Sequence, residues 1–212
     1  MEAQKHQGRD VRKESYRPDC DSIRPLGTPI PTKKGDWSER AQFIMPCRAP
    51  SIEHLRDECK RDRTSLGFIK PKKVHDLIIT PDAPDWRPAF KQALLQSRLW
   101  ETRTVSKEPP RKIPYRFQYR FECDDPRCNG HEMTVADWEV GALFWRLVDK
   151  GASQEEAADK VKEKFLGELC GPDKDTHFFV GTILAYPSSW IVIGVYRPKI
   201  DSSSQQRLLF AR

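Results

Sequence analysis

Residues 114–151 read PYRFQYRFECDDPRCNGHEMTVADWEVGALFWRLVDKG, and the fold turns on this stretch. Tyr115, Phe117, Tyr119 and Phe121 alternate with Arg116, Gln118 and Arg120, a period of two that predicts a half-buried strand. The strand runs into a Cys/His knuckle, and a helix carrying Trp138 and Trp145 is expected to leave that knuckle at once. Thr134 is the expected N-cap, with Asp137 three residues on, and Gly151 is the stop.

Downstream, Ser153 and Glu156 form a second capping-box signature. Ala157, Ala158, Val161, Phe165 and Leu169 make the apolar stripe of a second helix, closed by Gly171-Pro172. Two helices at a short Gly-containing turn fit either a helix-turn-helix or an αα-hairpin packed on a sheet. The hairpin is the better reading, because Glu155, Glu156, Asp159, Glu163 and Glu168 on the second helix would repel phosphate. The chain then predicts an apolar hairpin, 177–185 and 190–196 around Pro187-Ser188-Ser189, covered on both faces.

Upstream of the stretch, 101–112 (ETRTVSKEPPRK) is a polar linker or long loop and the expected main boundary. Trp86–Trp100 carries a helical pattern through Phe90, Leu94, Leu95 and Leu99. Ser51 caps a helix with Ile52, Leu55 and Cys59 on one face. Residues 67–69 and 74–80 read as two strands around the basic turn Lys70-Pro71-Lys72-Lys73, and 37–45 as a short helix or strand. Residues 1–35 are polar and broken by Pro25, Pro29 and Pro31, an extended segment that looks like part of a domain begun elsewhere. The expected class is therefore α+β: a mostly antiparallel sheet with a packed αα-hairpin, and a basic N-terminal portion of short strands and helices. Its expected divisions are a basic portion over 1–100, possessing the character of an incomplete domain, the linker at 101–112, the core at 113–200, and a polar tail at 201–212.

Composition bounds the function. The 212 residues are 37% hydrophobic with a mean hydropathy of −0.73 and 17 prolines. No run of about 18 apolar residues and no apolar leader occur, so a cytoplasmic protein without a membrane partner is expected. The net charge is +6, and all of it lies early: residues 1–75 hold 17 Lys/Arg against 11 Asp/Glu, and the remainder holds 20 of each. Such asymmetry suits a polyanionic partner, DNA or RNA. The candidate phosphate contacts are Arg56, Lys60, Arg61, Arg63, Lys70, Lys72 and Lys73, joined by Arg116 and Arg120 on the outward face of the strand.

The sharpest chemical feature is Cys123-x4-Cys128-x2-His131. Two thiolates and an imidazole in a Gly- and Pro-containing loop can wrap one tetrahedral Zn²⁺, in a structural role. Cys170 or His177 could fold back as the fourth ligand. A rival arrangement, His131 with Asp137 and Glu139, would bind Mg²⁺ for phosphodiester cleavage. Acids in a first helical turn are ordinary, however, and two residues apart they do not face each other. HEMTV lacks the second His of a zincin, and no Walker, dinucleotide or hydrolase-elbow motif occurs.

RKESYRPD (12–19), TSLGFIKP (64–71), YRFQYRF with GHEMTVADWEVGALFWR (115–146) and FFVGT with SSWIVIGVYRP (178–198) resemble a family of uncharacterised bacterial proteins, from residue 12 onward. The resemblance implies that members carry an additional N-terminal strand-rich region, similar to OB-type nucleic-acid-binding modules and expected to be absent from this sequence, and it transfers no catalytic residue. The expected function is a non-enzymatic nucleic-acid-binding or accessory subunit in bacterial or phage genome defence or a mobile element. A metal-dependent nuclease and a protein-interaction module, its N-terminal domain completed by a protein partner, are the alternatives.

Overall fold

The computed structural model describes residues 2–5, 10–32, 37–92 and 110–200. The chain belongs to the α+β class, with antiparallel pairing throughout its sheets except at one short edge. Two short strands, β1 (Ala3–Lys5) and β2 (Tyr16–Pro18), pair with each other near the start. Helix α1 (Ser38–Ile44) precedes a two-residue edge strand, β3 (Arg48–Ala49). Helix α2 (Ile52–Asp62) begins at Ser51, whose hydroxyl accepts the His54 N–H at 3.0 Å, as its capping signature predicts. It buries Ile52, Glu53 and Leu55.

Strands β4 (Leu66–Ile69) and β5 (Lys73–Pro81) follow, and here the expected hairpin does not form. β4 joins β3, β8 (His177–Ile183) and β9 (Tyr186–Tyr196) in the order β3-β4-β8-β9. β5 pairs instead with β6 (Tyr115–Glu122), which pairs with β7 (His131–Thr134). The basic turn therefore crosses from one sheet to the other. The physical reason is that β5 pairs with β6 over eight positions where four-residue β4 could offer only half as many, while β4 lies along the apolar Phe178–Gly181 of β8.

β5 and β6 flank the 101–112 segment and pair over eight positions, so one sheet spans the expected boundary. Residues 101–109 and the tail 201–212 lie outside the described residues, as does most of the expected 86–100 helix, of which 88–92 are helical.

The alternation in β6 appears as expected. Phe117, Tyr119 and Phe121 are buried between the sheets, whereas Arg116 and Arg120 are exposed. Tyr119 stacks on Phe178 of β8 at 4.6 Å and donates its hydroxyl to the Phe165 carbonyl at 2.7 Å. A short strand, β7, intervenes where a helix was expected to follow the knuckle directly. It extends into the other sheet: the Ala136 N–H reaches the Val192 carbonyl at 2.7 Å. Helix α3 (Trp138–Asp149) consequently starts later, and its cap is Asp137, not Thr134. Gly151, at φ +98°, takes the left-handed conformation that ends it, and α4 (Gln154–Lys162) starts at a complete Ser153/Glu156 capping box. A π-helical turn, Glu163–Glu168, extends α4. The predicted stripe Ala157, Ala158, Val161, Phe165 and Leu169 is buried throughout. The final hairpin turns at Leu184-Ala185, and Pro187–Ser189 belong to β9. Its outer face is not covered, since Ile183, Tyr186 and Ile193 are exposed. Among the described residues no helix is long and apolar enough to cross a membrane.

Candidate metal centre

The knuckle between β6 and β7 folds against the first turn of α2. Cys123 follows the last residue of β6, Cys128 sits in the loop, and Gly130 at φ +87° reverses the chain so that His131 can open β7. Glu53, at the start of α2, completes a group with Cys123, Cys128 and His131 whose four ligand atoms all lie within 4.8 Å of one another. His131 Nε2 is 3.0 Å from Glu53 Oε1 and 3.3 Å from Cys128 Sγ. Around a tetrahedral ion with bonds of about 2.0–2.3 Å, ligand atoms stand about 3.3–3.8 Å apart. The two short spacings lie at or just below that range, and no pair exceeds 4.8 Å. The cluster can hold a metal ion.

Burial strengthens the case. Glu53, Cys123 and His131 are 8%, 4% and 6% exposed. Glu53 Oε2 is buried without a hydrogen-bond partner, a costly state for a carboxylate unless a cation or proton meets it. Burial pushes the Cys123 thiol up to about 12, with Glu53 and Cys128 adding to the effect. Burial also lowers the His131 pKa, against the opposing pull of Glu53, which favours the neutral imidazole a metal requires. A bound cation would reverse the Cys123 shift by stabilising the thiolate. A backbone N–H already serves one sulfur: Cys123 N–H donates to Cys128 Sγ at 3.2 Å.

Outer contacts hold the two halves in register. Ser51 donates its hydroxyl to Asp125 Oδ2 at 2.6 Å while capping α2. Arg127 bridges Asp57 of α2, at 2.6 Å, and Asp125 of the knuckle. Arg127 and Ser51 hold the Asp125 carboxyl well below the usual carboxylate range.

Three of the sequence-derived ligands thus come together, and the fourth is Glu53, seventy residues upstream of Cys123 in the sequence. Cys170 and His177 are elsewhere. The Cys170 thiol donates to the Phe165 carbonyl at 3.4 Å, and burial raises its pKa to about 11. His177 stacks on Phe68 and donates Nδ1–H to the Asp175 carbonyl at 3.0 Å. The structure also separates the nuclease trio: His131 lies with Glu53 and the cysteines, while the Asp137 carboxylate accepts the Glu139 N–H at 2.9 Å as the cap of α3.

The basic candidates divide by pairing. Arg61 pairs with Glu58, Lys70 with Asp175, Arg116 with Asp82 and Arg120 with Asp76. Arg56, Lys60, Arg63, Lys72 and Lys73 are exposed and form no salt bridge among the described residues. Arg48, not singled out in the sequence, joins Lys70 and Lys72 around a cavity of about 290 Å³ bordered by Asp124 of the knuckle.

A family model described as a domain of unknown function (DUF8757) matches residues 48–212, and the chain belongs to that family. The matched segment contains all four cluster residues and begins at Arg48. No curated protein and no solved structure matches the chain.

Proposed function

We propose that this chain is a non-enzymatic nucleic-acid-binding protein in which Glu53, Cys123, Cys128 and His131 hold a structural Zn²⁺. Two thiolates and an imidazole favour zinc over the hard, oxygen-seeking cations. Four protein ligands leave no open position for water, so the ion staples and does not catalyse. What it staples is the start of α2 to the knuckle, and the basic cavity lies alongside.

The observation that carries the binding reading is the convergence of Arg48, Lys70 and Lys72 on that one cavity, with Arg56 and Lys60 unpaired on the adjacent helix. Lysines and arginines brought together from separate segments, of which Lys70 alone has a carboxylate partner (Asp175) among the described residues, suit phosphate oxygens. Binding of labelled DNA and RNA across a salt series tests it. Complexes should weaken steeply as salt rises, leave the probe intact with Mg²⁺, and be lost in the Arg48→Glu/Lys72→Glu variant at unchanged zinc content and melting temperature. Absence of any complex with either polymer at low salt would overturn the reading.

A further inference from the structure

Trp138 is 76% exposed, the most exposed aromatic side chain among the described residues, although a tryptophan ordinarily buries most of its ring. It stands at the first position of α3, and two cavities share it as a wall. One, of about 420 Å³, is also lined by Trp86, Tyr115, Arg111, Arg116 and Asp137. The other, of about 300 Å³, is also lined by Arg146 from α3, Lys164 from the π-helical turn and Arg197 from beyond β9. Arg146 and Arg197 form no salt bridge among the described residues, and Arg116 has only a 3.9 Å contact with Asp82.

An exposed ring that borders two cavities, each carrying guanidinium groups, suits a stacked nucleobase with phosphates nearby. Each cavity lies near the lower end of the range for small-ligand pockets, roughly 300–1,000 Å³, which suits a single nucleotide. The carboxylates of Asp137 and Glu139, one lining each cavity, can accept hydrogen bonds from base amino groups. Asp137 is half-buried, and that burial raises its pKa.

We propose that Trp138 is the base-stacking platform of a track for single-stranded nucleic acid that runs across both cavities. The inference rests on the reading that the partner is a nucleic acid, and it names the strandedness and the residue that reads it. The test is fluorescence anisotropy with a labelled 12-nucleotide single strand and with the same sequence as a duplex, on the full chain. The variants are Trp138→Ala, Trp138→Phe and Arg48→Glu/Lys72→Glu, each checked for native circular dichroism. The single strand should bind at least about tenfold more tightly than the duplex. Trp138→Ala should lose about ten- to hundredfold for the single strand and little for the duplex, and Trp138→Phe should recover most of the loss. Equal binding of both probes, or an alanine variant that holds the single strand like wild type, overturns this proposal while leaving nucleic-acid binding intact. If neither probe binds at low salt, the nucleic-acid reading fails and takes this one with it.

Discussion

His131 and His177 make a natural pair. Each opens a strand, β7 and β8 respectively, each is buried, and burial lowers the pKa of each. Their surroundings differ in kind. His177 is sandwiched in an aromatic setting, stacked on Phe68 with 9° between the planes and edge-on to Tyr196, with Nε2 buried and unpartnered. His131 faces two sulfurs and a carboxylate that arrive from a loop and a helix. An imidazole becomes a metal ligand through what converges on it. Burial and a lowered pKa are common to the core histidine and the candidate ligand alike.

The largest effect expected from that contrast is metal removal. A zinc present at a thousand times its dissociation constant adds about 4 kcal/mol of stability. Chelation at neutral pH should therefore lower the melting temperature of wild type by many degrees, and should leave a Cys123→Ala/Cys128→Ala variant unmoved, as calorimetry with and without chelator will read.

Next comes Glu53→Gln, which keeps size but removes the charge. It should weaken zinc binding by at least about tenfold, since even residues outside the ligand shell contribute about that much. Competition with a zinc-sensitive dye measures it. His177→Phe should leave the same affinity unaltered.

A smaller effect concerns Asp137. As the cap of α3 it should be worth about 1 kcal/mol, lost in Asp137→Ala and largely kept in Asp137→Asn, with zinc content the same in all three. Urea unfolding reports the difference. If both substitutions removed an Mg²⁺-dependent cleavage activity at constant stability, Asp137 would be a ligand and not a cap.

The smallest is a pH effect at His177. Its folded pKa lies below the ordinary 6.5, so the unfolded chain takes up the proton first. The stabilising contribution is complete above about pH 6.5 and declines as pH falls below it. His177→Phe should flatten that decline when unfolding is followed from pH 7 down to pH 5 at saturating zinc.

Much of this architecture was readable in the residues. The β6 alternation, the Ser51 cap, the Ser153/Glu156 box and the α4 stripe are local patterns, and each appears where its periodicity or spacing placed it. What escaped was non-local or brief. β7 is four residues long, and its alternation of His131 and Met133 inward with Glu132 outward is too short to stand out beside a strong helix signal. The β4 and β5 pairings depend on which partner offers the better apolar face, which a turn sequence does not encode. Glu53 was hidden most completely. An acid in the first turn of a helix looks like a favourable partner for the helix dipole, and nothing near it in sequence signals sulfur chemistry. The one available hint was its place beside Ile52, on the side of α2 that packs inward. Trp138 shows the converse, a residue that periodicity would place without comment on a helix and that the fold leaves open to solvent.

The central claim is that Glu53, and not His177, completes a zinc site. The most direct measurement is zinc content by mass spectrometry on reduced protein supplied with zinc and freed of excess, for wild type, Glu53→Ala and His177→Phe. The account predicts one equivalent in wild type and in the His177 variant, and a clear loss in Glu53→Ala. Wild type that retains no zinc, or a full equivalent held by Glu53→Ala and lost from His177→Phe, would contradict it.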